Sequence, residues 1–237
     1  MAKQGEKDYL RNIGEGALQH ALNKPFSDPD CGALLMEIGA VMALLPPPPG
    51  KLLDLGCGTG WTSRFFARRG YTATGQDISP DAVRHATERA QAEGLDNLCF
   101  VESDYEALAF VEAFDCAVFF SSLHHATDEA AAMRAVYRAL RPGGVCVTSE
   151  PGYGHAASAE SRQAARDYGV TEKDMPPALI RRLGRAAGFR EFAVYPHADA
   201  LQKALYAPGP VRMGPGLIRG ARTWAFARRN GIVWMRK

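Results

Sequence analysis

The sequence predicts an α/β protein built on an open parallel sheet. Three observations carry this reading. Short apolar runs alternate with amphipathic, glycine-stopped segments from residue 51 to residue 151, the pattern of right-handed βαβ units. One of those runs, FDCAVFFSS (114–122), is continuously apolar over CAVFF, as a strand covered on both faces should be. A GCGTG turn at 56–60 joins the first run to the helix after it. That is the place where an open parallel sheet binds ligands, beyond the carboxyl ends of its strands.

The elements follow in order. Residues 8–45 read as helix with a break: DYLRNIGEGALQHALN, a KPFSDPD loop, then the apolar CGALLMEIGAVMALL. PPPPG (46–50) ends that helix, because proline neither donates to it nor continues it. KLLDL (51–55) is a strand, and WTSRFFARRG (61–70) a helix stopped by glycine. TATGQD (72–77) is a strand. SPDAVRHATERAQAEG (79–94) is a helix with Ser79 as N-cap, Pro80 in its first turn and Gly94 at its end. NLCFVESD and FDCAVFFSS are strands, DEAAAMRAVYRALRPGG a helix with a glycine stop, and VCVTSEP the fifth strand. Residues 152–176 are polar and irregular, with some helical content. PALIRRLGRAAG is a helix, FREFAVYPHA a strand, 204–229 turns plus a basic amphipathic helix, and NGIVWMRK a terminal strand. The whole divides into an N-terminal helical lid (1–49) and one main domain (50–237).

The 237 residues, 46% hydrophobic and 23% charged, suit an ordinary globular protein. A net charge of +2 gives no reason to expect a nucleic acid partner. No apolar run approaches the roughly 20 residues that span a bilayer, so no integral membrane segment is expected. The charged start, MAKQGEKDYLRN, lacks the apolar core of a signal peptide. Five scattered cysteines without a CxxC pair read as buried reduced thiols. Both point to a cytoplasmic protein.

In the turn, Gly56, Gly58 and Gly60 let the chain bend tightly and let a ligand lie against bare peptide groups beside Cys57. The dinucleotide fingerprint would place its third glycine three residues after Gly58, but Trp61 stands there. Asp54, two residues ahead of the loop, would repel a pyrophosphate and suits a cationic ligand.

LLDLGCGTG (52–60) in this βαβ frame resembles the first motif of class I S-adenosylmethionine-dependent methyltransferases. The resemblance covers about residues 50–150. It implies a Rossmann-like, doubly wound, mostly parallel seven-stranded sheet with a reversed last strand, which NGIVWMRK would supply. It implies S-adenosyl-L-methionine as cofactor, with Gly56, Gly58 and Gly60 under its methionine part. Asp54 would order the loop and meet the cofactor's amino group, directly or through water. Asp77 would take the two ribose hydroxyls, and Ile78 would pack on adenine. Asp104 would meet the adenine amine, with Tyr105 beside the ring. Ser121 and Leu123 would offer backbone atoms at the edge of the fourth strand.

Methyl transfer from a sulfonium asks mainly for alignment and exclusion of water. A hydroxyl acceptor adds the need for a base. The candidates are His124 and His125 after the fourth strand, the second being the closer match to the family's histidine, and His155 after the fifth. Two adjacent histidines have no third ligand spaced to help, so no metal is expected. Glu150 and Tyr153 stand where the family contacts its acceptor, and Tyr9 and Phe26 flank the break in the N-terminal helices, where a lid could cover it. Tyr168, Glu172, Lys173 and Asp174, in the acceptor-pocket insertion at about 151–176, read individually as solvated surface.

The stretch at about 205–230 interleaves arginines with Trp224 and Phe226 and reads as a basic helix laid on the domain. A phosphate-bearing acceptor is its second reading. With EKDMPP and NGIVWMRK it also resembles methyltransferases of bacterial polysaccharide gene clusters. The expected activity is methyl transfer to a small-molecule or sugar-like (glycan) acceptor at oxygen. The alternatives are a nicotinamide-dependent oxidoreductase, which Trp61 and Asp54 oppose, and a non-catalytic cofactor-binding partner subunit. No NPPY-like tetrad follows the fourth strand, which opposes nucleic acid as acceptor.

Overall fold

The computed structural model describes residues 2–198 and 230–237. The seven strands are β1 (Lys51–Leu55), β2 (Thr72–Asp77), β3 (Leu98–Glu102), β4 (Phe114–Phe120), β5 (Leu140–Ser149), β6 (Glu191–Pro196) and β7 (Gly231–Arg236). They form one sheet in the order β3-β2-β1-β4-β5-β7-β6. β1 to β5 pair in parallel. β7 inserts between β5 and β6 and runs antiparallel to both. The expected reversed last strand is therefore present, and NGIVWMRK supplies it. No helix among the described residues is long and apolar enough to cross a membrane.

The helices are α1 (Ala2–Asn12), α2 (Gly14–Asn23), α3 (Cys31–Leu44), α4 (Trp61–Arg69), α5 (Pro80–Ala92), α6 (Glu129–Ala139), α7 (Ala159–Tyr168) and α8 (Pro177–Ala187). Strand alternation divides the core in two. Leu53 and Leu55 face α6 and α8 in one cluster, with Met133, Val136, Ile180 and Met235. Leu52 faces the other way, into a cluster with Ile38 and Val41 of α3 and Phe66 of α4. Covering both faces explains why neighbouring residues of β1 (Leu52, Leu53) and of β4 (Cys116–Phe119) are apolar whichever face they point to.

Local chemistry sets the ends. Gly70, at φ +109°, closes α4 in the left-handed conformation, and its N–H donates to Phe66 and Ala67 carbonyls. Ser79 Oγ accepts from Ala82 N at the start of α5, as expected. Asp128 and Ser158 cap α6 and α7 in the same way.

Four details differ from the sequence reading. The first helix begins at Ala2 and, besides the expected break at 24–30, is interrupted once more just before Gly14, at φ +78°. α6 stops at Ala139, because Pro142 cannot continue it, and residues 140–144 already belong to β5. The polar stretch after β5 holds a full helix, α7. Cys99 is exposed on the edge strand β3, whereas Cys57, Cys116 and Cys146 are buried thiols. The basic stretch, with Trp224 and Phe226, lies outside the described residues apart from Asn230.

Candidate functional site

A cavity of about 470 Å³ opens beyond the carboxyl ends of β1, β2 and β4. Its floor is the turn Gly56–Thr59; its walls are Asp77–Ser79, Asp104–Glu106 and Phe120–Ser122. Trp61, Phe120 and Leu34 supply an apolar side, with the Trp61 and Phe120 rings edge-to-face at 5.3 Å. Residues of α1 and α2, among them Lys3, Glu6, Tyr9, Ala17 and Ala21, cover it.

The three glycines do different work. A Cβ on Gly58 (φ +54°) would meet no atom within 4 Å, so its peptide lies bare to the cavity. A Cβ on Gly56 would stand 2.6 Å from Ser122 Cβ, because β4's end packs directly on the turn. Gly60 does not line the cavity. A Cβ there would meet Phe100 at 2.7 Å and Ala86 at 2.9 Å. Gly60 serves close helix–strand packing at the start of α4, a correction to its placement beneath a ligand.

Asp54 is also set back. It is buried, and its Oδ2 accepts from Thr62 Oγ1 and Ser63 Oγ, both at 2.6 Å. Burial raises its pKa to about 6 against the opposing pull of those hydroxyls. It ties β1 to α4 and lies outside the cavity wall. Asp77 does face the cavity. It accepts from Gly58 N at 2.8 Å and Ser79 N at 2.9 Å. Each oxygen of a carboxylate has a second acceptor site, so both remain able to receive a ligand hydroxyl. Burial raises its pKa, partly offset by those two N–H groups.

Asp104 Oδ1 accepts from Glu106 N at 2.9 Å, and Oδ2 is ion-paired with Lys3 of α1. Lys3 also reaches Glu106 at 2.7 Å. An adenine amine at Asp104 would share that oxygen with Lys3 or displace it. Tyr105 lines the cavity, and its hydroxyl donates to Ser122 O at 3.1 Å. Ser121, at φ +52°, and Ile78 stand at the wall, Cys57 in the floor; Leu123 is fully buried behind.

A cluster of imidazoles and carboxylates occupies the wall after β4. His124 is buried and lines the cavity. Its Nδ1 pairs with Glu150 Oε2 at 2.8 Å. Burial lowers its pKa, against the opposing effect of Glu150. Glu150 is itself buried and accepts from the Ser122, Leu123 and His124 N–H groups. Burial works against its charge, but His124 and those donors outweigh it and hold its pKa low. Glu150 therefore sits beneath the wall as an anchor, a correction to its reading as an acceptor contact. Burial also opposes charge on His125, yet Glu6 and Glu172 outweigh it and raise its pKa to about 9. Its Nδ1 donates to Thr171 O at 2.7 Å.

Three further expectations are corrected. Phe26 and Tyr153 are exposed and do not line the cavity. His155 stands behind it, its Nε2 at 2.6 Å from Glu172 Oε2. Glu172, read as solvated surface, instead faces the cavity. Its Oε2 stands 3.7 Å from His124 Nε2, so the adjacent histidines do have a third neighbour. Tyr9 lines the cavity, edge-on to Tyr168 at 5.3 Å. Lys3, Glu6, Trp61, Ser122 and Glu172 were missed, although Trp61 was noticed for its bulk. For Lys3 and Glu6 no local signal existed, because their partners lie 101 and 165 residues away.

Comparison with known proteins gives a consistent picture. Residues 52–144 match a family model described as a methyltransferase domain. A ubiquinone biosynthesis O-methyltransferase of Psychrobacter cryohalolentis is 40% identical over 102 residues, covering 42% of this chain. The chain spans only 40% of the length of that relative. A malonyl-[acyl-carrier protein] O-methyltransferase of Erwinia pyrifoliae is 26% identical over 213 residues, covering 87% of this chain and 78% of the relative. Among solved structures, an S-adenosylmethionine-dependent methyltransferase of Thermotoga maritima, described as a possible histamine N-methyltransferase, superposes with a TM-score of 0.60. It covers 98% of this chain and 99% of its own at 22% identity, a likeness of fold.

Proposed function

We infer that this chain, a class I S-adenosylmethionine-dependent methyltransferase by its domain at residues 52–144, methylates a small-molecule acceptor at oxygen. The observation that carries the reading is the Gly58 peptide lying bare to the cavity with the Asp77 carboxylate bonded to it at 2.8 Å. A bare peptide and a buried acceptor pair suit a cofactor that carries both a cation and a ribose diol.

Bound there, S-adenosylmethionine supplies a methyl group on a positive sulfur. Gly58 and Cys57 would bear its methionine part, Asp77 its ribose hydroxyls, and Ile78, Asp104 and Tyr105 its adenine. Ser121 stands beside them at the cavity wall. Trp61 and Phe120 exclude water from one side of the cavity, and Tyr9 with the rest of α1 and α2 forms the lid. An oxygen acceptor must lose its proton as it gains the methyl. That task falls to the wall after β4, where His124, His125 and Glu172 converge, with Glu150 and His155 positioning them. Oxygen as the acceptor atom is favoured because the relatives named above are O-methyltransferases of a ubiquinone pathway and of an acyl carrier protein. A sugar-like acceptor also fits a site of this size.

The test is transfer of a labelled methyl group from S-adenosylmethionine into extract of the source cells, separated into small-molecule, glycan, protein and nucleic acid fractions. Label in a small-molecule or glycan fraction, released as a methyl ether or ester, supports the reading. Label confined to nucleic acid or protein overturns the acceptor class, and absence of cofactor binding overturns the function.

A further inference from the structure

We propose that His124, His125 and Glu172 form a binding site for a divalent first-row transition ion, opening into the cavity. The inference deepens the reading of this cavity as an acceptor site and rests on it only for the role of the ion. The donor atoms of the three residues lie within 4.8 Å of one another. Around a tetrahedral zinc, donors at about 2.0–2.1 Å from the metal stand ~3.4 Å apart. His124 Nε2 and Glu172 Oε2 are already at 3.7 Å. Two imidazoles and one carboxylate are a borderline donor set that suits Zn²⁺, Fe²⁺, Co²⁺ or Mn²⁺ more than Mg²⁺ or Ca²⁺.

The surroundings make this more than a coincidence of ligand types. Ligating side chains in metalloproteins are held by outer partners that fix tautomer and orientation. Each of the three has one here. Glu150 Oε2 holds His124 Nδ1 at 2.8 Å. The Thr171 carbonyl accepts from His125 Nδ1 at 2.7 Å. In both rings this leaves Nε2 to face the ion, which binds as that nitrogen gives up its proton. His155 Nε2 holds Glu172 Oε2 at 2.6 Å, and the carboxylate keeps further lone pairs. Glu150 is in turn fixed by three backbone N–H groups, far more support than one hydrogen bond to a histidine requires. All three ligands line the cavity, so an open coordination position faces the acceptor.

The ion would act as a Lewis acid on an acceptor hydroxyl or carboxyl oxygen. As the O–H bond breaks and its proton passes to solvent, the oxygen's electron pair forms the bond to the methyl carbon. The C–S bond breaks, and its electron pair goes to sulfur.

The experiment is calorimetric titration of the chelator-treated full chain with ZnCl₂, paired with the visible spectrum of its CoCl₂ complex, without cofactor or acceptor. One saturable equivalent is expected, with visible Co²⁺ bands and no thiolate charge-transfer band. Glu172→Gln and His125→Ala should each weaken Zn²⁺ at least tenfold. Glu150→Gln should weaken it about 10–100-fold while the ion stays bound. Circular dichroism and S-adenosylmethionine affinity of each variant report whether the fold survives. Should a variant fail to fold, the Co²⁺ spectrum of the unaltered chain decides the question alone. Absence of a saturable equivalent, a thiolate band placing the ion on a cysteine, or unchanged affinity in folded Glu172→Gln and His125→Ala overturns the site. Methyl transfer by a chain that binds no Zn²⁺ would leave the proposed function standing and remove the metal. Zn²⁺ binding without methyl transfer would do the reverse.

Discussion

At the scale of single residues, two aspartates of the same carboxyl edge, Asp54 buried and Asp77 half-buried, do opposite things. Asp77 faces the cavity, and Asp77→Ala should weaken S-adenosylmethionine binding by the loss of two charge-assisted bonds, about 1.5–3 kcal/mol each. Isothermal titration checks this; unchanged affinity removes Asp77 from the site. Asp54 faces the protein, and its consequence is one of stability. Burial lifts its pKa from 3.8 to about 6. Between those values the folded chain binds more protons than the unfolded one, so this group's contribution falls as pH rises. The lost stability is on the order of 3 kcal/mol, complete above pH about 6. Urea unfolding from pH 4 to pH 7 should therefore show Asp54→Asn gaining on the unaltered chain as pH rises, and parallel curves would refute it. The sequence made both acids visible by their spacing from the glycines. It could not say that Thr62 and Ser63, one turn into α4, would turn Asp54 away from the ligand.

At the scale of elements, α1 decides how the cavity is covered. It is held by polar contacts: Lys3 on Asp104, Arg11 on Asp81 at 2.6 Å, the Lys7 carbonyl accepting from Ser79 Oγ at 3.0 Å, and Glu6 accepting from Thr171 N at 2.7 Å. Solvent-exposed ion pairs contribute roughly 0–1 kcal/mol each, so α1 is held more weakly than the apolar α3. Elements held this way open at low cost. Proteolysis of residues 2–23 should therefore be fast in the free chain and slow with S-adenosylmethionine bound; equal rates would mean that α1 is not a lid. The helical character of this region was legible from its sequence. Its docking was not, because each partner is a single charged residue far along the chain, and one charge carries no address. The reading of Phe26 as an acceptor contact failed for the same reason: proximity to a helix break says nothing about which side faces the cavity.

At the scale of the whole molecule, the sheet is completed by a strand from the chain's last residues. β7 lies between β5 and β6, with Met235 fully buried in the core cluster that α6 and α8 cover. Met235→Ala should cost about 2–5 kcal/mol, the range for a large-to-small change in a closed core, read as a lower urea midpoint with an unchanged slope. A cost near zero would mean that β7 packs loosely. By itself the sequence determined the α/β class, most element positions, the reversed last strand through its family likeness, and the glycine turn that floors the cavity. Periodicity, caps and glycine spacing are local signals, and these features are local or nearly so. Only the tertiary structure decided which glycine faces the cavity, which histidine is buried against Glu150, and that Glu172 stands beside His124. Those properties arise from burial and from contacts between residues tens of positions apart, which no stretch of sequence contains.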